Sequence, residues 1–131
     1  MGQTQLLMIV LAVIIVGIAV AVGITQFGES ALTANRDAVA GDCQVIVSKS
    51  QGWFRKPTSL GGGGNTFTGL TLGKIGASSS NQNGSYALTV DSATQITVVG
   101  TGNENTSGGS AVEVTIEYFS GNDSTAYADN M

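Results

Sequence analysis

The chain has 131 residues, of which 42% are hydrophobic and 11% are charged, and five basic against nine acidic side chains leave a net charge of −4. This length fits one small domain. The chain has no histidine, which argues against most metal sites and against Ser-His or Cys-His catalysis. Its single cysteine excludes an internal disulfide. The acidic balance also argues against a nucleic-acid-binding protein, so we expect no enzyme, no cofactor, no metal ion and no nucleic-acid partner.

The N-terminal part is a single apolar segment. Residues Leu6–Ile24 form an uninterrupted apolar run of 19 residues, which as a helix would measure about 28 Å, close to the ~30 Å hydrocarbon thickness of a bilayer. Because every face is apolar, lipid or other apolar helices must surround it. The large side chains that we expect to make these contacts are Leu6, Leu7, Ile9, Val10, Val13, Ile14, Val16, Val20 and Ile24. The run exceeds the apolar region of a cleaved secretory signal and no basic residue precedes it, so we expect it to be retained.

Helical spacing continues beyond the apolar run. Apolar and small residues recur every three to five positions from Ala31 to Phe54, and polar residues fall mainly between them. Because the residue before a proline disfavours helix, Pro57 is a plausible stop. The pattern predicts one long helix over Thr4–Phe54, with an apolar segment 1–28 and an amphipathic segment 29–56. Gly23 and Gly28 lie inside this helix, where they permit either close helix packing or local loosening.

Residues 57–131 predict a head domain made of turns and short alternating strands. We expect a weak strand at Asn65–Leu72 and clearer strands at Ser85–Val90, Gln95–Gly100 and Ala111–Phe119, with a polar loop over Thr101–Ser110. Each clear strand alternates apolar and polar side chains, which is typical of an antiparallel sheet with one covered face.

The amphipathic half of the helix is the surface that covers this sheet, because 75 residues of sheet and loop bury little core alone. The fold class is therefore α+β, with a long N-terminal helix packed on a small antiparallel sheet. The expected helix–sheet core consists of Ile46, Trp53, Phe54, Val112, Val114, Ile116 and Tyr118. Cys43 lies on the same helical stripe, where a free cysteine behaves as a small hydrophobic residue.

This plan resembles that of the type IV pilin superfamily, which includes pilin-like filament subunits of bacteria and archaea. The resemblance rests on MGQTQLLMIVLAVIIVGIAVAVGITQF, on the continuation RDAVAGDCQVIVSKSQGWFRKP and on the strand-rich remainder. It implies a structural subunit that is held in the cytoplasmic membrane, trimmed by a prepilin peptidase and assembled by a dedicated machinery. The product would be an extracellular helical filament, or fimbrium, of identical subunits, of the kind that serves cell adhesion, motility or uptake.

The N-terminus departs from the usual bacterial pilin. Bacterial pilins have a glutamate at the fifth mature position, whereas this chain has Gln5 there if Met1 is the mature start, or Leu7 if the mature chain begins at Gln3. Gln5 is the docking candidate, because its amide forms hydrogen bonds without carrying a charge.

Two other functional interpretations stay open. The chain could be a single-span membrane protein that displays a small β domain, or a minor pilin or pseudopilin of a secretion system. Three acceptor patterns for N-glycosylation, beginning at Asn83, Asn105 and Asn122, fall in expected loops or turns. Three matches are weak evidence in a chain this rich in asparagine, serine and threonine.

Overall fold

One helix runs through the N-terminal two fifths of the protein. The computed structural model describes residues 2–121 and 124–131, and helix α1 spans Gly2–Arg55 without a break. Its 54 residues correspond to a rod of about 81 Å. The predicted bounds, Thr4–Phe54, differ from the observed ones by two residues at one end and one residue at the other. Pro57 follows in an extended conformation, with φ −61° and ψ 150°, as expected where a proline ends a helix.

A four-stranded antiparallel sheet forms the rest of the regular structure. Its strands are β1 (Gly84–Ser92), β2 (Gln95–Asn105), β3 (Ala111–Phe119) and β4 (Ser124–Asp129), and they lie side by side in chain order. Helix α1 packs on β2 and β3. The α+β layout predicted from the sequence, a long helix packed on a small antiparallel sheet, is therefore confirmed.

The predicted strand at Asn65–Leu72 is wrong. This segment is a loop in which Asn65 and Gly69 have left-handed backbone angles, with φ of 65° and 82°. Its backbone N–H groups do not form a ladder with a neighbouring strand. The Phe67 N–H, for example, donates to the Ala93 carbonyl at 2.8 Å. The loop instead brings the Phe67 side chain into the core, where it is fully buried.

The sheet is also larger than predicted. Strand β2 continues through Thr101 to Asn105, where the sequence indicated a loop. Gly100 and Gly102 occupy inward positions in this strand, and their lack of a side chain allows α1 to approach closely. Strand β4 was not predicted at all. Five of its six residues are exposed, so it lacks the alternation of apolar and polar side chains that reveals a half-buried strand.

A glycine loop, residues Gly61–Gly64, closes the C-terminal end of α1. The Gly63 N–H donates to the Trp53 carbonyl and the Gly64 N–H to the Lys56 carbonyl, both at 2.9 Å. The last carbonyls of a helix have no partner within its own ladder, and these bonds from the loop give them one. Gly61 and Gly64 have φ of 83° and 61°, a conformation that glycine adopts without steric cost.

The core lies between α1 and the inward face of the sheet. The structure places six of the seven residues expected there in buried positions, and Phe54 is half-buried. Phe67 adds to this core by packing against Phe54, with ring centroids 4.6 Å apart, and edge-on against Tyr118 at 6.0 Å. Within the described part of the chain the buried Trp53 indole N–H has no hydrogen-bond partner.

Candidate assembly surface

The apolar half of α1 packs against no other part of the protein among the described residues. The large apolar side chains from Leu6 to Ile24 are between 53% and 68% exposed. Of the residues the structure describes, only those of α1 form a helix long and apolar enough to span a membrane. A contiguous apolar surface of this extent marks a site of association with lipid or protein.

The exposed part of α1 extends further than the apolar run. The first residue of α1 that bonds to the head is Asn35, so the helix before it is a rod of about 50 Å that projects from the head. Ala31 and Ala34 continue the helical stripe in the sequence, yet both are exposed because the sheet does not reach them. The head therefore contacts α1 from Asn35 onward and buries side chains of α1 from Val39 onward.

The glycines of the projecting rod face open space. A methyl group added at Gly17, Gly23 or Gly28 would meet no atom within 4 Å, so packing inside the subunit does not require glycine at these positions. The helix runs unbroken through Gly23 and Gly28. Small residues do allow neighbouring helices to approach closely, which makes these three positions candidate helix contacts between subunits.

Gln5 lies in the exposed first turns of α1. Its side chain forms no hydrogen bond with any residue that the structure describes. It is therefore available to a group outside the subunit, and its docking role stays a prediction.

A polar network joins α1 to the head. Asp42, on α1, accepts hydrogen bonds at one carboxylate oxygen, Oδ2, from the side-chain amides of Asn81 and Asn83, both at 2.8 Å, and from the Tyr86 hydroxyl. Asn35, two helical turns earlier, donates to the Asn83 carbonyl at 2.9 Å. These contacts fix the 78–84 loop against the helix.

The network changes the acid–base properties of its members. Burial alone would raise the pKa of Asp42, but the hydrogen bonds from Asn83, Tyr86 and Asn81 favour the carboxylate and lower it. Burial, followed by the bond to the Asp42 carboxylate, raises the pKa of Tyr86. Neighbouring Cys43 is a buried free thiol whose pKa burial raises to about 11. These groups are held in fixed states at neutral pH, which suits a structural role.

The three acceptor patterns for glycosylation have different environments. The Asn83 amide donates to Asp42 and is half-buried, so it is not free to accept a sugar in the folded subunit. Asn105 is exposed at the end of β2, and its side chain has no hydrogen-bond partner in residues 2–121 and 124–131. Asn122 lies outside the described residues.

Comparisons with known proteins find no match, whether to a protein-family model, a curated protein or a solved structure. Among the described residues, no group of three or more His, Cys, Asp or Glu side chains could hold a metal ion. The largest exposed apolar surface of the described residues is that of the rod.

Sequence reasoning found the apolar rod but missed the Asp42 network. Its members Asn35, Asp42, Asn81 and Tyr86 are spread over 52 positions of the chain. One signal was present, since the Asn83-Gly84 pair is typical of a turn, but nothing local indicated that this turn meets the helix.

Proposed function

We propose that this protein is the structural subunit of an extracellular, type IV pilus-like helical filament whose core is a bundle of the apolar half-helices. The observation that carries the proposal is the projecting part of α1, which is apolar on all faces over Leu6–Ile24 and exposed throughout. In a lipid-free bundle each helix would exchange lipid contacts for packing against identical helices. The heads would then lie on the outside.

The continuity of α1 favours a filament over a simple membrane anchor. A displayed domain is usually joined to its anchor by a flexible linker, whereas here one helix passes from the apolar run into the core of the head. A rigid connection transmits the position of the rod to the head, which a regular filament requires and a tethered domain does not. This argument applies equally to a minor pilin or a pseudopilin, which remain second candidates.

The proposal includes a membrane stage before assembly. The apolar run matches the thickness of a bilayer, so the subunit would be held in the cytoplasmic membrane until a pilus assembly machinery extracts it. Processing by a prepilin peptidase, and a task such as adhesion, motility or uptake, follow from the resemblance to pilins. No cofactor, enzymatic activity or nucleic-acid partner is part of the proposal.

Shearing of cells tests the proposal directly. The medium should yield uniform fibres of this chain that pellet on centrifugation and are visible by electron microscopy. Val13→Asp should abolish the fibres while the chain stays in the membrane fraction, because the substitution places a charge in the helix bundle. Val45→Asp is the matched control, since Val45 lies on the head-bearing half of the same helix and is 52% exposed.

Two results would contradict the proposal. One is a wild-type chain that stays wholly with the membranes after shearing, which would favour the anchored domain. The other is a normal fibre yield from Val13→Asp.

A further inference from the structure

The two ends of the head carry opposite charge. We infer that the basic end of one subunit docks against the acidic end of the next, so that subunits contact one another head to tail along the filament. This inference rests on the proposed filament and adds the identity of the contact between heads.

The basic end lies at the C-terminal end of α1. It consists of Lys49, Arg55, Lys56 and Lys74, all of them exposed. Lys74 reaches α1 by placing its Nζ atom 5.7 Å from the centre of the Trp53 ring, and Lys49 donates to the Gly76 carbonyl at 3.4 Å. In the described part of the chain no carboxylate lies within ion-pair distance of these four side chains, so their charges are uncompensated within the subunit.

The acidic end lies at the opposite end of the head, where α1 emerges. It consists of Asp37, Glu104, Glu113 and Asp129, together with one base, Arg36. The fold brings these residues together, because the Glu104 N–H donates to the Asn35 side chain at 3.2 Å and the Glu113 N–H to the Asn130 side chain at 2.9 Å. Arg36 is already paired, with Asp37 at 2.9 Å and with Asp129 at 3.8 Å. Four acids therefore share this end with one base, which two of them already pair.

The two ends cannot compensate each other inside one subunit. Asp37 and Arg55 are 18 residues apart on α1, which corresponds to about 27 Å along the helix. The screening length at physiological ionic strength is only about 8 Å. Contact with a second copy is therefore what would bring the two charged ends within reach of each other. Of the remaining described acids, Glu29 lies on the rod and Asp42 lies inside the polar network. Asp91 and Glu117 lie on the outward side of the sheet at the level of the basic end, because Phe67 packs on both Phe54 and Tyr118 and its N–H donates to the Ala93 carbonyl. The basic end therefore carries four bases against these two acids.

The geometry of such a contact fits open-ended growth. Two different surfaces of the same molecule form a heterologous contact, and repetition of a heterologous contact gives a helical filament unless the rotation closes a ring. Opposite potentials also steer encounter and set orientation. The apolar rods would supply the non-directional part of assembly, and the charged ends would set the direction in which subunits add.

Charge reversal in the full-length chain tests the inference. The variant Arg55→Glu with Lys56→Glu leaves two bases against four acids at the basic end and so makes both ends acidic. The variant Glu104→Lys with Glu113→Lys leaves three bases against two acids at the acidic end and so makes both ends basic. Each should lower the yield of sheared fibres by roughly fivefold or more. A factor of about five corresponds to the largest free energy that one exposed ion pair normally contributes, and each reversal affects more than one pair. All four substitutions in one chain reverse both ends and should restore the yield, as should co-expression of the two single-end variants.

A control at another surface separates this effect from net charge. Asp91→Lys with Glu117→Lys changes the net charge by the same amount as the acidic-end reversal but leaves the basic end basic, so the yield should stay near wild type. Membrane-fraction levels of each variant, together with protease resistance of the head, show that the chain is folded. The milder pair Arg55→Gln with Lys56→Gln should give an intermediate loss of fibres.

The outcomes distinguish this inference from the proposed function. Normal fibres from both single-end reversals, or failure of the four-substitution chain to recover, would overturn the head-to-tail contact and leave the filament intact. Absence of fibres from the wild-type chain, or normal fibres from Val13→Asp, would overturn the filament itself.

Discussion

Gly100 provides the most direct test of the packing between the helix and the sheet. It lies on the inward face of β2, between Tyr86 and Val114 of the neighbouring strands. A Cβ atom at this position would lie 2.5 Å from Val39 Cγ1 and 2.6 Å from Cys43 Sγ, whereas carbon contacts are normally about 3.5–4.0 Å. Because β2 is hydrogen-bonded on both sides, the helix must move by about 1 Å to accept the methyl group. Overpacking of this kind costs about 1–3 kcal/mol of unfolding free energy.

The single tryptophan makes the measurement simple. Trp53 lies in the core, so its fluorescence reports thermal unfolding of the head in the full chain held in detergent. Gly100→Ala should lower the melting temperature by roughly 4–8 °C for each kcal/mol lost. Gly108→Ala is the matched control, because its nearest neighbour would be 3.8 Å away. Cys43→Ala in the Gly100→Ala background should recover part of the loss, since the two sites touch. Equal melting temperatures for the two glycine variants would refute this account of the interface.

Three further predictions concern single side chains. Gln5→Ala should keep most of the fibre yield, because a neutral hydrogen bond contributes only about 0.5–1.5 kcal/mol; complete loss of fibres would contradict this. Cys43 should stay reduced and react slowly with alkylating agents in the folded chain, because it is buried and its pKa is raised to about 11; a dimer band on non-reducing gels would show otherwise. Of the described acceptor asparagines, Asn105 should carry any N-linked sugar, so Asn105→Gln should remove that mass and Asn83→Gln should retain it; a sugar on Asn83 would refute the assignment.

The long helix and the clear strands were predictable because each has a strong local pattern. The apolar run, the stripe that follows it and Pro57 define α1 to within two residues at each end. Strand β3 shows the alternation of a half-buried strand along its full length. Strand β4 has no such pattern because α1 packs on β2 and β3 and leaves five of the six β4 residues exposed. The loop at Asn65–Leu72 resembles a strand because its apolar residues enter the core without pairing.

The candidate surfaces also differ in whether the sequence alone reveals them. An apolar rod is a property of contiguous residues, so composition alone reveals it. The acidic end combines residues of α1, β2, β3 and β4 that lie far apart in sequence, and only the fold shows that they share one end of the head. The polar network at Asp42 likewise depends on a contact between residues that are 39 to 44 positions apart.

The Asp42 network predicts how acid affects the stability of the head. A carboxylate whose pKa is lower in the folded than in the unfolded chain contributes stability above its unfolded pKa, and this contribution is lost as the pH falls through the folded value. Since the pKa of Asp42 is lowered from 3.8, its contribution should be complete at neutral pH and should disappear below about pH 4.

Asp42→Asn keeps the shape of the side chain but removes its charge. It should therefore destabilise the head at neutral pH, with a difference from wild type that shrinks as the solution is acidified. Tyr86→Phe removes one of the donors that lower the pKa of Asp42. The loss of stability on acidification should therefore begin at a higher pH in this variant than in wild type. Glu113→Gln, at an exposed position, serves as the control. A difference between Asp42→Asn and wild type that is the same at neutral and at acid pH would mean that the carboxylate charge is not what holds the 78–84 loop against α1.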